Sequence, residues 1–159
     1  MSEYKLGAEI VARSKANTWD EAKLEWELES VFHEEEPETC LCGHFPINEI
    51  CVLRNKLNGK TADVGNCCVK KFMGLQSDKI FQALRRIRSD LCRPLNVETI
   101  DHAYKNKWIN EWEYRFSMDT VRKRKLTPSQ MFKRQQINQR VIQNVMVKRR
   151  GQPGPKGGQ

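Results

Sequence analysis

The stretch Cys40-Leu41-Cys42-Gly43-His44, with Gly65-Asn66-Cys67-Cys68 further along the chain, decides which fold this sequence predicts. These two stretches hold four of the six cysteines, a clustering that ordinary buried thiols do not show. In a reducing compartment, clustered cysteines indicate a metal site more often than disulfides. Tetrahedral Zn²⁺ takes thiolate and imidazole ligands. We therefore predict one structural zinc site that includes Cys40, Cys42 and Cys68.

The sequence between the two cysteine stretches predicts a small two-stranded β-hairpin. Ile50 and Val52 alternate with other residues as in a strand, Asn58-Gly59 is a turn signal, and Thr61–Val64 would form the return strand. After Cys68 the pattern predicts one or two helical turns. The order is then a cysteine turn, a hairpin and a helix start.

This order resembles a treble-clef zinc finger, in which a cysteine turn and a helix N-terminus supply the ligands. A Gly after a ligand lets backbone amides turn toward the thiolate sulfur, and a helix N-terminus favours the negative thiolate. The segment also resembles short zinc-binding stretches of phage and prophage proteins, of the form Cys-x-Cys-Gly-His followed by Val-Gly-x-x-Cys. The matching residues are Cys40, Cys42, Gly43, His44, Val64, Gly65 and Cys68.

A second stretch, Phe116 to Ile137 with Lys125-Leu126-Thr127-Pro128-Ser129-Gln130 inside it, is similar to a C-terminal helical motif of the same phage proteins. The two resemblances together cover about half of the chain. They imply a bound zinc and imply no particular activity.

The fourth zinc ligand is open between His44 and Cys67. The chain has Cys-x-Cys where the usual turn is Cys-x-x-Cys, and Lys71 stands where a second helix ligand is usual. We favour His44, because it lies beside the cysteine turn and because the adjacent Cys67 and Cys68 would chelate one ion with difficulty.

The sequence predicts a structural metal and no enzyme. A catalytic zinc needs an open position and a nearby general acid or base. Glu49 is the only close carboxylate suited to that role, and its setting is that of an ordinary strand edge. Cys51 in the first strand is expected to be a small buried residue. We find no phosphate-binding glycine loop and no Ser/His/Asp arrangement, so no small-molecule substrate is expected.

Helices are predicted for the rest of the chain. Thr18 and Glu21 have capping-box spacing, which predicts an acidic helix from Trp19 to about His33. Further helices are predicted over 78–91, over 97 to about 121, and from Pro128 onward. Trp108 and Trp112 would share a face of the helix over 97–121, where a core seam is favoured over a surface that stacks on single-stranded bases.

Charge is distributed unevenly over a net of +8. Residues 1–38 hold 11 acidic and 4 basic side chains, a net of −7, whereas residues 39–159 hold 9 acidic and 24 basic, a net of +15. The last acidic residue is Asp119. Such a gradient favours a polyanionic partner for the C-terminal half, the alternative being a solvated basic surface and tail.

The predicted function is that of a basic, zinc-stabilised accessory protein of phage type that binds nucleic acid, preferably DNA, with weak sequence specificity. The alternative is a protein-interaction module that binds and modulates a host nucleic-acid enzyme. The predicted acidic helix is the feature that suggests this alternative. The predicted contacts to nucleic acid are Lys70, Lys71, Arg85, Arg86, Arg88, Arg122, Lys123, Arg124 and Lys125.

The predicted fold class is mainly α, with a small two-stranded β-hairpin and a treble-clef-like zinc module embedded in a helical domain. Its segments are an acidic helical segment (1–38), the zinc module (39–75), a basic helical region (76–150) and a disordered tail (151–159) rich in Gly and Pro. The sequence shows no secretory h-region and no apolar run of about 20 residues. It therefore predicts a cytoplasmic protein without a membrane span.

Overall fold

A computed structural model describes residues 2–146, with Ser2 described by its backbone alone. Met1 and residues 147–159 lie outside the described residues, and so does the predicted disordered tail 151–159. The chain forms two compact units, which meet in sequence between Ser77 and Asp78. In the described chain no helix combines the length and the apolar character that crossing a membrane requires.

The first unit is built around a three-stranded antiparallel sheet. Helix α1 (Ser2–Ala12) and the short helix α2 (Trp19–Ala22) precede strand β1 (Trp26–Glu38). Strands β2 (Ile47–Asn55) and β3 (Thr61–Gly65) follow, and the strand order is β1-β2-β3. Helix α3 (Asn66–Cys68) then continues as a wider, π-helical turn over Val69–Met73.

Strand β1 corrects the predicted fold class, because the segment expected to form an acidic helix to His33 is a strand. The Thr18 hydroxyl donates to the Glu21 carboxylate at 3.2 Å, at the start of the predicted helix. The helix that begins there, α2, nevertheless ends at Ala22. The protein is therefore mixed α/β with a three-stranded sheet, and the prediction of a mainly α fold with a two-stranded hairpin was wrong. The predicted hairpin is present as the pair β2–β3.

Packing explains why this glutamate-rich segment is a strand. Phe32 lies opposite Ile50 and packs with Ile50 and Val52 into a buried cluster, against which Ile47 also packs. Burying one such side chain contributes about 1.5–3 kcal/mol, whereas helix propensities of ordinary residues differ by less than about 0.7 kcal/mol. Cross-strand burial therefore outweighs the helical preference of the glutamates.

The second unit is helical. Its helices are α4 (Ser77–Ser89), α5 (Val97–Lys105), α6 (Glu111–Thr120) and α7 (Pro128–Met146); α4 begins one residue before the unit and α7 ends one residue after it. The helix predicted over 78–91 is present as α4, and its apolar residues Ile80, Phe81, Leu84 and Ile87 are buried. Helix α7 begins as predicted, since the Gln130 amide donates to the Thr127 hydroxyl and the Thr127 amide donates to the Gln130 side chain.

The single helix predicted over 97–121 was wrong, because the chain breaks between α5 and α6. Lys107 adopts φ 63°, a left-handed conformation that cannot continue a helix. Asn110 then starts α6 through a reciprocal capping box with Glu113. Trp108 consequently lies buried in the break while Trp112 lies exposed on α6, so the two indoles do not share one helical face.

Candidate metal centre

The first two cysteines are placed by a tight turn that follows β1. The Cys40 amide donates to the His44 carbonyl and the Gly43 amide donates to the Cys40 carbonyl, both at 2.8 Å. Gly43 has φ 95°, a backbone conformation that is energetically unfavourable for residues other than glycine. The turn brings Cys40 and Cys42 back beside each other, and both are buried.

The third cysteine reaches the same place from the start of a helix. β3 ends at Gly65, and α3 carries the buried Cys68 in its first turn. The Gly65 amide donates to Cys40 Sγ at 3.3 Å, and a β-carbon at Gly65 would lie 3.3 Å from Ile47 Cγ2, a tight contact. The end of β3 is thus bonded to the Cys40 sulfur through its backbone, immediately before the helix start that carries Cys68.

Cys40, Cys42 and Cys68 form a buried group whose sulfur atoms all lie within 4.8 Å of one another, close enough to hold a metal ion. We call these three residues the cysteine cluster. The sulfurs of Cys40 and Cys68 are 3.8 Å apart. Ligands at about 2.3 Å from a tetrahedral Zn²⁺ are separated by about 3.8 Å, so the cluster has the span of a metal site.

Backbone amides surround the cluster in the way that stabilises thiolates. Cys40 Sγ accepts from the amides of Cys42 and Gly65, and Cys42 Sγ accepts from the His44 amide at 3.4 Å. Burial acts to raise the pKa of Cys42, but hydrogen bonds from the His44 amide and the neighbouring thiols outweigh it and lower that pKa. Burial raises the pKa of Cys40 and Cys68, and a bound cation would supply the charge that keeps such thiols ionised.

A cavity of about 560 Å³ adjoins the cluster, and its wall includes both candidates for the fourth ligand, His44 and Cys67. Both are exposed, and neither belongs to the close group of three sulfurs. The structure thus brings together three of the four predicted ligands and leaves His44 at the wall of the same cavity. The choice between His44 and Cys67 stays a prediction.

The cavity wall also includes His33 and Glu49, which face each other across β1 and β2. The Asn66 side-chain amide donates to Glu49 at 3.4 Å, and the Ser77 hydroxyl donates to the Asn66 side-chain carbonyl at 2.7 Å. Because the sequence predicted a helix where β1 lies, it did not predict that His33 is part of this cavity wall. No simple alternation in the sequence marks this strand, because the bulge at Glu29 places Phe32 on the opposite face of the sheet from Trp26 and Leu28.

Cys51 lies at the centre of the sheet with no exposed surface. Burial raises the pKa of its thiol to about 12. A hydrogen bond with Ser77 acts in the opposite direction and lowers that pKa, but burial outweighs it. A thiol held neutral in this way is an inert packing group at neutral pH.

The nine residues predicted to contact nucleic acid are divided between the two units. Lys70 and Lys71 lie in the first unit, exposed beside the cysteine cluster, and Lys71 Nζ lies 5.4 Å from the centre of the Phe72 ring. The other seven lie in the second unit, on α4 and between α6 and α7; Arg86 is half-buried and the rest are exposed.

Comparison of this chain with protein-family models, with curated proteins and with solved structures finds no match. The resemblances to a treble clef and to phage proteins therefore stay predictions. Any function proposed for the chain rests on its own residues.

Proposed function

We propose that the chain is a zinc-stabilised accessory protein that binds nucleic acid through its phosphates with weak sequence specificity. The observation that carries this proposal is the exposed run Arg122-Lys123-Arg124-Lys125 between α6 and α7, called the cationic segment below. No acidic residue follows Asp119, so the charge of this segment is not balanced by carboxylates later in the chain.

Two other cations of the second unit, Arg134 and Arg140, are engaged in its packing. The guanidinium of Arg134 is buried and donates to the Thr120 carbonyl at 2.8 Å and to the Cys92 carbonyl at 3.2 Å. Arg140 pairs with the buried carboxylate of Glu113. The cationic segment is thus the part of the helical unit best suited to contact phosphates, which give affinity without reading sequence.

Zinc is the metal we propose for the cysteine cluster, and its role is structural. Soft thiolate ligands favour zinc among the common divalent ions. The cluster joins the turn after β1 to the start of α3, so an ion bound there would fasten two ends of the sheet. Proteins with small hydrophobic cores often need a bound metal of this kind to be stable.

The proposed function is tested by the salt dependence of oligonucleotide binding, measured by fluorescence anisotropy. Each phosphate contact contributes about 0.7–0.9 to the slope of log affinity against log salt. The double variant Arg124→Gln/Lys125→Gln should therefore lower the slope by up to about 2. Lys56→Gln/Lys60→Gln, which removes two exposed cations from the turn between β2 and β3, is the control of equal charge and should leave the slope unchanged. Binding that is insensitive to salt, or an equal loss in both variants, would contradict the proposal.

The alternative, a module that modulates a host nucleic-acid enzyme, was motivated by an acidic helix that is in fact strand β1. What supports it now is the exposure of Glu35 and Glu36 near the end of β1, which is an edge strand of the sheet. Recovery of a nucleic-acid enzyme on the immobilised wild-type chain, lost in Glu35→Gln/Glu36→Gln, would favour it.

A further inference from the structure

We propose that Trp112 and Phe116 on α6 form a platform on which a base of single-stranded nucleic acid stacks. This inference deepens the proposed function and rests on it, because it names the class of nucleic acid. The two rings are nearly parallel, with centroids 5.3 Å apart and an interplanar angle of 8°. Trp112 is 58 % exposed.

The exposure of Trp112 contrasts with the other indole nearby. Trp108 is buried and meets the His102 ring edge-on at 5.4 Å, as expected of a core residue. Trp112 instead presents most of its surface to solvent, in a stacked arrangement that a further aromatic ring could extend. Aromatic rings arranged in this way on a basic surface are the usual stacking sites for unpaired bases.

The charge around the platform suits a phosphate backbone. Lys133 Nζ lies 5.2 Å from the centre of the Trp112 ring. Phe116 lies about 6 Å along the axis before Thr120, the end of α6, and the cationic segment begins two residues later at Arg122. A base on the platform would therefore place its neighbouring phosphates near exposed cations.

Two carboxylates on the same helix, those of Glu111 and Glu113, are paired with cations. Glu113 is buried and pairs with Lys133 at 3.8 Å and with Arg140, while Glu111 pairs with Arg115. These ion pairs reduce the repulsion that a phosphate would meet at this face.

A second stacked pair in the same unit provides the matched control. The rings of Tyr104 and Tyr114 have centroids 4.6 Å apart, and Tyr104 is 41 % exposed. Here, however, the Tyr114 hydroxyl donates to the Asp101 carboxylate at 3.1 Å. An exposed carboxylate beside the rings repels a polyanion, so this pair is not expected to bind nucleic acid.

The ligand should be a single strand and not a duplex. The bases of a duplex are stacked on one another and are not free to stack on protein rings, whereas an unpaired base offers its face to an indole whatever its sequence. No base-edge contact is needed, in keeping with weak sequence specificity.

The test compares binding of a labelled thymidine oligonucleotide and of a mixed-sequence duplex of equal length, by anisotropy at one salt concentration. Trp112→Ala should weaken binding of the single strand about tenfold or more and binding of the duplex less than about twofold. Trp112→Phe keeps a stacking ring and should retain most of the single-strand affinity. Tyr104→Ala should change neither affinity.

The outcomes separate this inference from the proposed function. If Trp112→Ala leaves single-strand binding intact while Arg124→Gln/Lys125→Gln weakens it, the platform is refuted and phosphate binding stands. An equal loss for strand and duplex in Trp112→Ala, or a concentration-dependent dimer that Trp112→Ala abolishes without affecting oligonucleotide binding, also refutes the platform. If the wild-type chain binds no oligonucleotide, both proposals fail.

Discussion

At the scale of residues, the sulfurs of the cysteine cluster are held in place by the peptide backbone. The amides of Cys42, Gly65 and His44 all point at sulfur atoms, so the turn and the strand end prepare the site before any metal binds. The three clustered cysteines were predictable from sequence because cysteine clusters and their glycines are local signals. A fourth ligand is not predictable in this way, since it would depend on which side chain reaches across the cavity.

Gly43 gives a test of this role of the backbone. Its φ of 95° places it in the left-handed region, as does the 78° of Gly59 in the turn between β2 and β3. Gly43→Ala and Gly59→Ala should each lower the free energy of unfolding by about 1–2 kcal/mol in urea denaturation followed by circular dichroism. Only Gly43→Ala should also weaken metal binding in a chelator competition, because only Gly43 shapes the cysteine turn. Equal metal affinity in the two variants would contradict this role.

At the scale of elements, local signals identified helix starts well and failed where packing decides. Helix α7 begins at Pro128 as predicted, behind the Thr127/Gln130 capping box, whereas the Asn110/Glu113 box lies inside a stretch whose sequence predicts one continuous helix. Strand β1 could not be recognised from its glutamates. A bulge at Glu29, the extra residue between Leu28 and Ser30 in the pairing with β2, also interrupts the alternation that would have revealed it.

The contribution of the α6 N-terminus to stability can be tested by substituting Glu113. Its side chain is buried, accepts from the Asn110 amide at 2.9 Å and pairs with Lys133 and Arg140. Glu113→Ala removes a cap and leaves two cations without their partner, and it should destabilise the second unit by about 3 kcal/mol. Glu111→Ala, which removes an exposed carboxylate two residues earlier, should cost less than about 0.5 kcal/mol. Comparable losses in urea denaturation would contradict the assignment.

At the scale of the whole molecule, stability should depend on pH through His102. Burial, and to a lesser extent the charge of Lys105, lowers its pKa from 6.5 to about 4. The unfolded chain therefore binds a proton that the folded chain does not between these values, so the contribution is fully present above pH 6.5 and is lost as pH falls toward 4. The loss amounts to about 3 kcal/mol over that range.

Removing this histidine isolates its share of the acid sensitivity. The free energy of unfolding of His102→Leu, measured from pH 7 to pH 4, should fall less steeply than that of the wild type. Parallel profiles would show that His102 does not titrate differently in the folded and unfolded chains.

The distribution of basic residues is also a property of the whole molecule. The sequence correctly showed where basic residues accumulate, but it could not show that Arg134 and Arg140 are engaged in packing or that Trp112 is exposed. Those facts depend on contacts between helices far apart in sequence. They add α6 to the cationic segment as a proposed contact surface, while the predicted contacts at Lys70, Lys71 and the arginines of α4 stay predictions.

The central claim is that Cys40, Cys42 and Cys68 hold one zinc ion, and native mass spectrometry of the purified chain tests it most directly. We expect one zinc per chain in the wild type, removed by a chelator, and one zinc in Cys67→Ser, whose exposed thiol lies outside the cluster. His44→Ala should lose more zinc than Cys67→Ser if His44 is the fourth ligand. Cys68→Ser should carry none. A folded wild-type chain without metal, or a Cys68→Ser chain that keeps its zinc, would contradict the account.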